Sequence, residues 1–113
     1  MKILAIDDQK LVLLPIEKRL NELEYKVKTE TNSIKAIGIY HSFKPDLVIV
    51  DINMPKISGL EIVKYIRNSE NPKTPILILS GDTNDNVIIE GFDLGINDYM
   101  KKPISLNEIC VRI

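Results

Sequence analysis

With a single cysteine, Cys110, the 113-residue chain can form no internal disulfide, and nothing in its cysteine usage points to an oxidising compartment. A reducing cytoplasm is the expected location. No apolar run approaches the ~20 residues that a membrane helix needs, and Met1 and Lys2 lead straight into a strand with no signal-type apolar region. A soluble domain without membrane contact is expected. Charge of one sign is also missing: 15 basic residues face 16 acidic ones, for a net charge of −1, and Lys and Arg are scattered. This argues against nucleic-acid or anionic-membrane binding driven by bulk charge. Internal repeats and low-complexity segments are absent, and the first strand is not followed by a glycine-rich phosphate loop. There is one histidine, His41, far in sequence from the acidic residues discussed below, and it reads as a surface residue.

What is present is apolar and regularly spaced. Hydrophobic residues make up 44% of the chain, enough for one core, and the length fits one domain. Strand-like runs at 2 to 6, 26 to 29, 47 to 51, 75 to 79 and 97 to 100 alternate with helical spacing. Leu47 to Val50 and Ile76 to Leu79 show no polar alternation, as expected of strands buried on both faces of a parallel sheet. In the first helix, Leu13, Ile16, Leu20 and Leu23 share a face. Pro15 requires that helix either to begin near Lys10 to Val12 or to kink. Ser33 reads as the N-cap of a second helix to about Phe43, closed by Pro45. A third helix follows Ser58, with Leu60, Val63 and Ile66 on one face. The fourth runs from about Asn84 to Leu94 before Gly95, a C-cap. The last starts after Pro103 and Ser105 and is still apolar at Ile113, so residues 1–113 are expected to be the front part of a longer protein.

Ligands of parallel sheets bind at the strands' carboxyl ends. There the first strand runs into Asp7 and Asp8, the third ends at Asp51, the fourth runs into Ser80, and Lys102 follows the fifth. Three carboxylates cannot all stay ionised close together without a cation, and with no Cys or His nearby the oxygen donors suit Mg²⁺. An acidic triplet, Mg²⁺, an ammonium and a hydroxyl make a site for a phosphoryl group. Asp51 is then the nucleophile, while the metal and Lys102 neutralise charge on the phosphoryl oxygens. Taken singly, the bland readings remain: a solvated Asp at a strand end, an N-capping pair at Asp7 and Asp8, a loop cap at Ser80, and a plain core-edge aromatic at Tyr99.

These pieces together resemble the receiver domains of two-component response regulators, over essentially all 113 residues. The resemblance is carried by Asp7 Asp8, by Asp51 with Asn53 Met54 Pro55 and Gly59, by Ser80 Gly81, and by Gly95 through Asp98 Tyr99 to Lys102 Pro103. Ser80 follows Asp51 by 29 residues and Lys102 follows Ser80 by 22, the family's separations. The resemblance implies an α/β fold of flavodoxin-like, doubly wound (βα)5 type, with a five-stranded parallel sheet of order 2-1-3-4-5 and helices on both faces. It implies that Asp51 accepts phosphate from a histidine kinase or phosphotransfer protein. Asp8, Asp51 and the Asn53 carbonyl would ligate Mg²⁺, with Asp7 acting through water. Ser80 and Tyr99 resemble the family's switch pair, Asn53 and Asp82 its tuners of dephosphorylation, and the Lys102–Pro103 bond should be cis. Lys102 is preferred to Lys101 because it directly precedes the proline. The domain would be a regulatory switch rather than a metabolic enzyme.

The output surface is expected on the fourth helix, fifth strand and fifth helix, where it would contact an output domain or a partner, including a second copy. Val87, Ile88, Ile89, Phe92 and Leu94 are too many for one helix face, so Ile88 and Phe92 are expected to form an exposed pair. Asp98, Glu108 and Arg112 are candidates for dimer salt bridges, although apolar Ile88 stands where a basic residue is expected. A haloacid-dehalogenase-type phosphohydrolase is the rival from another class. It would carry a second Asp two residues beyond the nucleophile, where this chain has Asn53. A receiver-like module that is never phosphorylated is a third reading, which intact Asp8, Asp51, Ser80 and Lys102 disfavour.

Overall fold

The computed structural model of the chain describes residues 1–69, 72–81 and 85–113, with the Asp85 side chain left aside. Five strands, β1 (Lys2–Ile6), β2 (Lys26–Glu30), β3 (Leu47–Asp51), β4 (Ile76–Ser80) and β5 (Asp98–Lys101), alternate with five helices. These are α1 (Lys10–Glu22), α2 (Ser33–Phe43), α3 (Gly59–Arg67), α4 (Asp85–Leu94) and α5 (Leu106–Arg112). All strand pairs are parallel and the order is β2-β1-β3-β4-β5. The expected α/β architecture is the one observed.

The unalternating apolar strands occupy the middle of the sheet because both their faces are covered. Val48, Val50, Ile76 and Ile78 pack toward α2, α3 and α4, whereas Ile49, Leu77 and Leu79 pack toward α1 and α5. The edge strand β2 keeps Lys26 and Lys28 in solvent, charges that also discourage edge-to-edge pairing.

Local chemistry shifted several expectations. Helix α1 begins at Lys10, within the expected bounds, yet Pro15 still falls in its second turn. The proline removes the N–H that Leu11 would have met, and it is tolerated because Leu11, 84% exposed, leaves that end of the helix open to water. Leu23 falls on the C-cap and is exposed, outside the buried face of Leu13, Ile16 and Leu20. In α3 the buried face is Ile62, Val63 and Ile66, with Leu60 at its margin. Ser33 is not the cap of α2. Asn32 is, its Oδ1 accepting from the N–H groups of Ile34 and Lys35. Ser58 and Ser105 do cap α3 and α5. Gly95 ends α4 with φ of 102°, a conformation in which a Cβ would also meet the Arg67 side chain. The Arg67 guanidinium donates to the carbonyls of Gly95, Pro72 and Thr74 and to Asn97, tying the C-terminal ends of α3 and α4 to the start of β4.

Candidate functional site

Parallel strands end at one edge of the sheet, so the residues just beyond β1, β3, β4 and β5 meet there. Asp7 is fully buried and Asp51 nearly so, with Asp8 exposed beside them. One carboxylate oxygen from each of the three lies within 4.8 Å of the others. Backbone constraints hold this cluster. The Asp7 N–H donates to the Glu30 carbonyl, and Asp7 Oδ1 accepts the N–H of Gln9, the residue that precedes α1. Asp7 therefore serves the helix start as well as the acidic edge.

Asp51 is the last residue of β3, and the loop beyond it is drawn tight. Gly59 N–H donates to the Ile52 carbonyl at 2.9 Å, closing residues 52–59 on themselves. Any Cβ at Gly59 would overlap the Asp51 carbonyl oxygen, so the first residue of α3 can approach this close only as glycine. The Asn53 N–H faces the Asp51 carboxylate and favours its ionised form.

Lys102 enters from the opposite side. Its N–H donates to the Ser80 carbonyl, the Lys102–Pro103 bond is cis as expected, and Nζ lies 2.9 Å from Asp7 Oδ2 and 3.4 Å from Asp51 Oδ1. Lys101 is exposed. Burial lowers the Lys102 ammonium, but Asp7 and Asp51 outweigh it and hold the pKa above the usual lysine range. Asp51 is pushed up to about 6, first by burial and then by the Asp7 charge. The Lys102 ammonium and the Asn53 N–H offset part of that rise. One ammonium does not satisfy three carboxylates.

The residues fit a divalent cation. Asp7 Oδ2 and Asp51 Oδ1 are buried and share one ammonium, that of Lys102, without a well-directed hydrogen bond to it, so their remaining charge costs free energy unless a further cation offsets it. The donors are hard carboxylate oxygens with an open side at Asp8, a set suited to Mg²⁺ with retained waters.

Ser80 is fully buried at the end of β4, and Tyr99 lies half-buried in β5. Asn53 is exposed next to Asp51. Asp82 lies outside the described residues. On the outer face of α4, Phe92 is 46% exposed and its ring meets Tyr99 edge-on at 6.1 Å. Ile88 instead packs partly against the core, and Ile89, 57% exposed, takes the place expected for it. A residue three positions before Phe92 shares its face as readily as one four before, and apolarity alone did not distinguish them. Arg112 pairs with both Asp98 and Glu108 within the chain. His41 is remote from this edge and exposed, bonded to the Tyr65 hydroxyl.

The sequence and fold have many relatives. Response regulator MprA of Mycobacterium leprae is 32% identical over 113 residues, all of this chain and 49% of that protein. The alkaline phosphatase synthesis transcriptional regulatory protein PhoP of Bacillus subtilis is 32% identical over 112 residues, 99% of this chain and 46% of that protein. The chain spans about half the length of the curated relatives it matches. Among solved structures, chemotaxis protein CheY4 of Vibrio cholerae matches with a TM-score of 0.91 at 29% identity, covering 98% of this chain and 93% of that one. A two-component response regulator from Clostridium difficile matches at 0.93 and 28%, covering 99% and 91%. The model of the response regulator receiver domain matches residues 3–113, and with the five-stranded fold and the acidic edge already in place, the chain belongs to that family.

Proposed function

We propose that this domain is a phosphorylation-activated switch in which Asp51 accepts a phosphoryl group from a histidine kinase or phosphotransfer protein. The observation that supports it most is a nearly buried carboxylate at a strand end, with an ammonium 3.4 Å away and two further carboxylates within 4.8 Å. With its pKa near 6, Asp51 is mostly ionised at neutral pH, the state a nucleophile needs. An Asp51 carboxylate oxygen attacks phosphorus, the donor's N–P bond breaks with its electron pair going to the imidazole nitrogen, and an acyl phosphate forms. Asp8, Asp51 and the Asn53 carbonyl would hold Mg²⁺, with Asp7 acting through water, and the metal would neutralise phosphoryl charge. Lys102 offers the second positive charge and Ser80 a hydroxyl to a phosphoryl oxygen. Asn53 and Asp82 tune the lifetime of the product.

The output is read on α4, β5 and α5. Ser80 moving toward phosphate releases space into which the Tyr99 ring packs, a two-state element biased by phosphorylation. Exposed Phe92 meets that ring edge-on, and Arg112 of α5 pairs with Asp98 of β5 and with Glu108. A partner, an output domain or a second copy docks there, with Ile88 at the margin. Residues 1–113 constitute the receiver domain of a longer cytoplasmic regulator.

Titration with Mg²⁺ and then beryllium fluoride, followed by amide NMR, tests this reading. Wild type should saturate with shifts at residues 80 and 99, and Asp51→Asn should not respond to beryllium fluoride. Saturation of Asp51→Asn, or no response in wild type, would overturn it.

A further inference from the structure

Because Asn32 caps α2, the Ser33 hydroxyl is free of its own helix and does something else. It lies 4% exposed, donates to the Pro55 carbonyl at 2.9 Å and accepts from the Ile57 N–H at 3.3 Å. Both partners belong to the loop of residues 52–59, two elements away in the chain. The Ile57 N–H is shared with the Pro55 carbonyl, and between them Lys56 takes a left-handed φ of 69°, so the loop makes its sharpest bend where Ser33 grips it.

The other end of the same loop carries Asn53, whose N–H faces the Asp51 carboxylate and favours its ionised form. Met54 and Ile57 pack on the core, but Asn53, Pro55 and Lys56 are exposed and have no apolar anchor. Ser33 itself is fixed from behind. Glu30 accepts the Asn32 N–H through its side chain and the Asp7 N–H through its carbonyl. The end of β2 is thus hydrogen-bonded to the acidic edge on one side and, through Asn32 and Ser33, to the loop beyond Asp51 on the other.

We propose that Ser33 is a positioning residue for the Asp51 site, its hydroxyl stapling residues 55–57 so that Asn53 is held against the Asp51 carboxylate in the geometry a divalent cation requires. This rests on the reading of the acidic edge as a Mg²⁺ site and adds a residue that touches neither metal nor phosphoryl group. Groups that orient ligands from behind in this way are worth on the order of tenfold or more in metal affinity.

The test is Mg²⁺ titration of wild type, Ser33→Ala and Ser42→Ala, read by amide NMR, together with hydrogen exchange of Ile57 and Asn53 without metal. Ser42 is an exposed serine of the same helix whose hydroxyl donates to the Ile39 carbonyl within α2, so it controls for hydroxyl loss away from the loop. Ser33→Ala should bind Mg²⁺ about tenfold more weakly, with faster exchange at Ile57 and a shifted Asn53 amide, while Ser42→Ala matches wild type. Should Ser33→Ala not fold, Ser33→Gly carries the same comparison, since glycine is tolerated at a helix start. Equal Mg²⁺ affinity in wild type and the Ser33 variant, whatever happens to thermal stability, would overturn the proposal. Failure of wild type to bind Mg²⁺ would instead remove the functional reading beneath it.

Discussion

At the scale of single residues, the site is built from interactions that oppose folding. Asp51 is 2% exposed and its pKa is raised from 3.8 to about 6, so the folded state binds the proton more tightly than the unfolded chain does. Stability linked to this group is therefore present below about pH 4 and lost as pH rises through about 6. At about 1.4 kcal/mol per pKa unit, the cost at neutral pH is on the order of 2 to 3 kcal/mol. Asp51→Asn should accordingly raise the Tm of the metal-free protein at pH 7, with the advantage shrinking toward zero near pH 4. Thermal melts across that range check this. A variant less stable than wild type at pH 7, or a benefit that grows on acidification, would contradict the assigned strain. Mg²⁺ should narrow the gap at pH 7 by stabilising wild type, because a ligand of the folded state adds to its stability.

At the scale of elements, α4 differs from its neighbours in how it is held. Its C-terminal end is fixed through Gly95 by Arg67, and Gly91 lets the helix lie close to Ile96 and Ile78. Ile89 and Phe92 face solvent, and the Phe92 ring rests edge-on against Tyr99. Since Phe92 is nearly half exposed, Phe92→Asp should cost less than about 1 kcal/mol of stability. It should nevertheless abolish any assembly or partner binding that beryllium fluoride induces, as read by sedimentation. Retention of that response in Phe92→Asp would place the output elsewhere.

The elements also show which parts of the sequence are self-explanatory. The central strands were legible because a run such as Leu47 to Val50 has only one stable environment. The ends of β4 and β5 each fall one residue later than the apolar pattern suggested, because the buried Ser80 and exposed Lys101 are paired by backbone geometry rather than by apolarity. Ser33 and Asn32 are both good caps, and the sequence could not say which would cap, since the choice depends on the Pro55 carbonyl 22 residues away. Ile88 and Ile89 pose the same problem on α4.

At the scale of the whole molecule, the parallel topology does the assembling. Asp7, Asp51, Ser80 and Lys102 are spread over most of the chain, and the strand order brings them to one edge with β3 at the centre. The identities and edge positions of these residues were readable in advance because strand ends are marked by where apolar runs stop. The Ser33 grip on the loop beyond Asp51 was not readable, because it joins the first residue of α2 to a loop beyond β3 with no sequence signal linking them. On the proposed function, this edge carries phosphate on Asp51 and nowhere else. Its most direct test is incubation of the protein with acetyl phosphate and Mg²⁺, reductive trapping of the acyl phosphate, and peptide mapping by mass spectrometry. One modified residue, Asp51, is expected, with labelling lost when EDTA replaces Mg²⁺. Modification at Asp7, Asp8 or His41, or labelling of Asp51 that is indifferent to the metal, would contradict it.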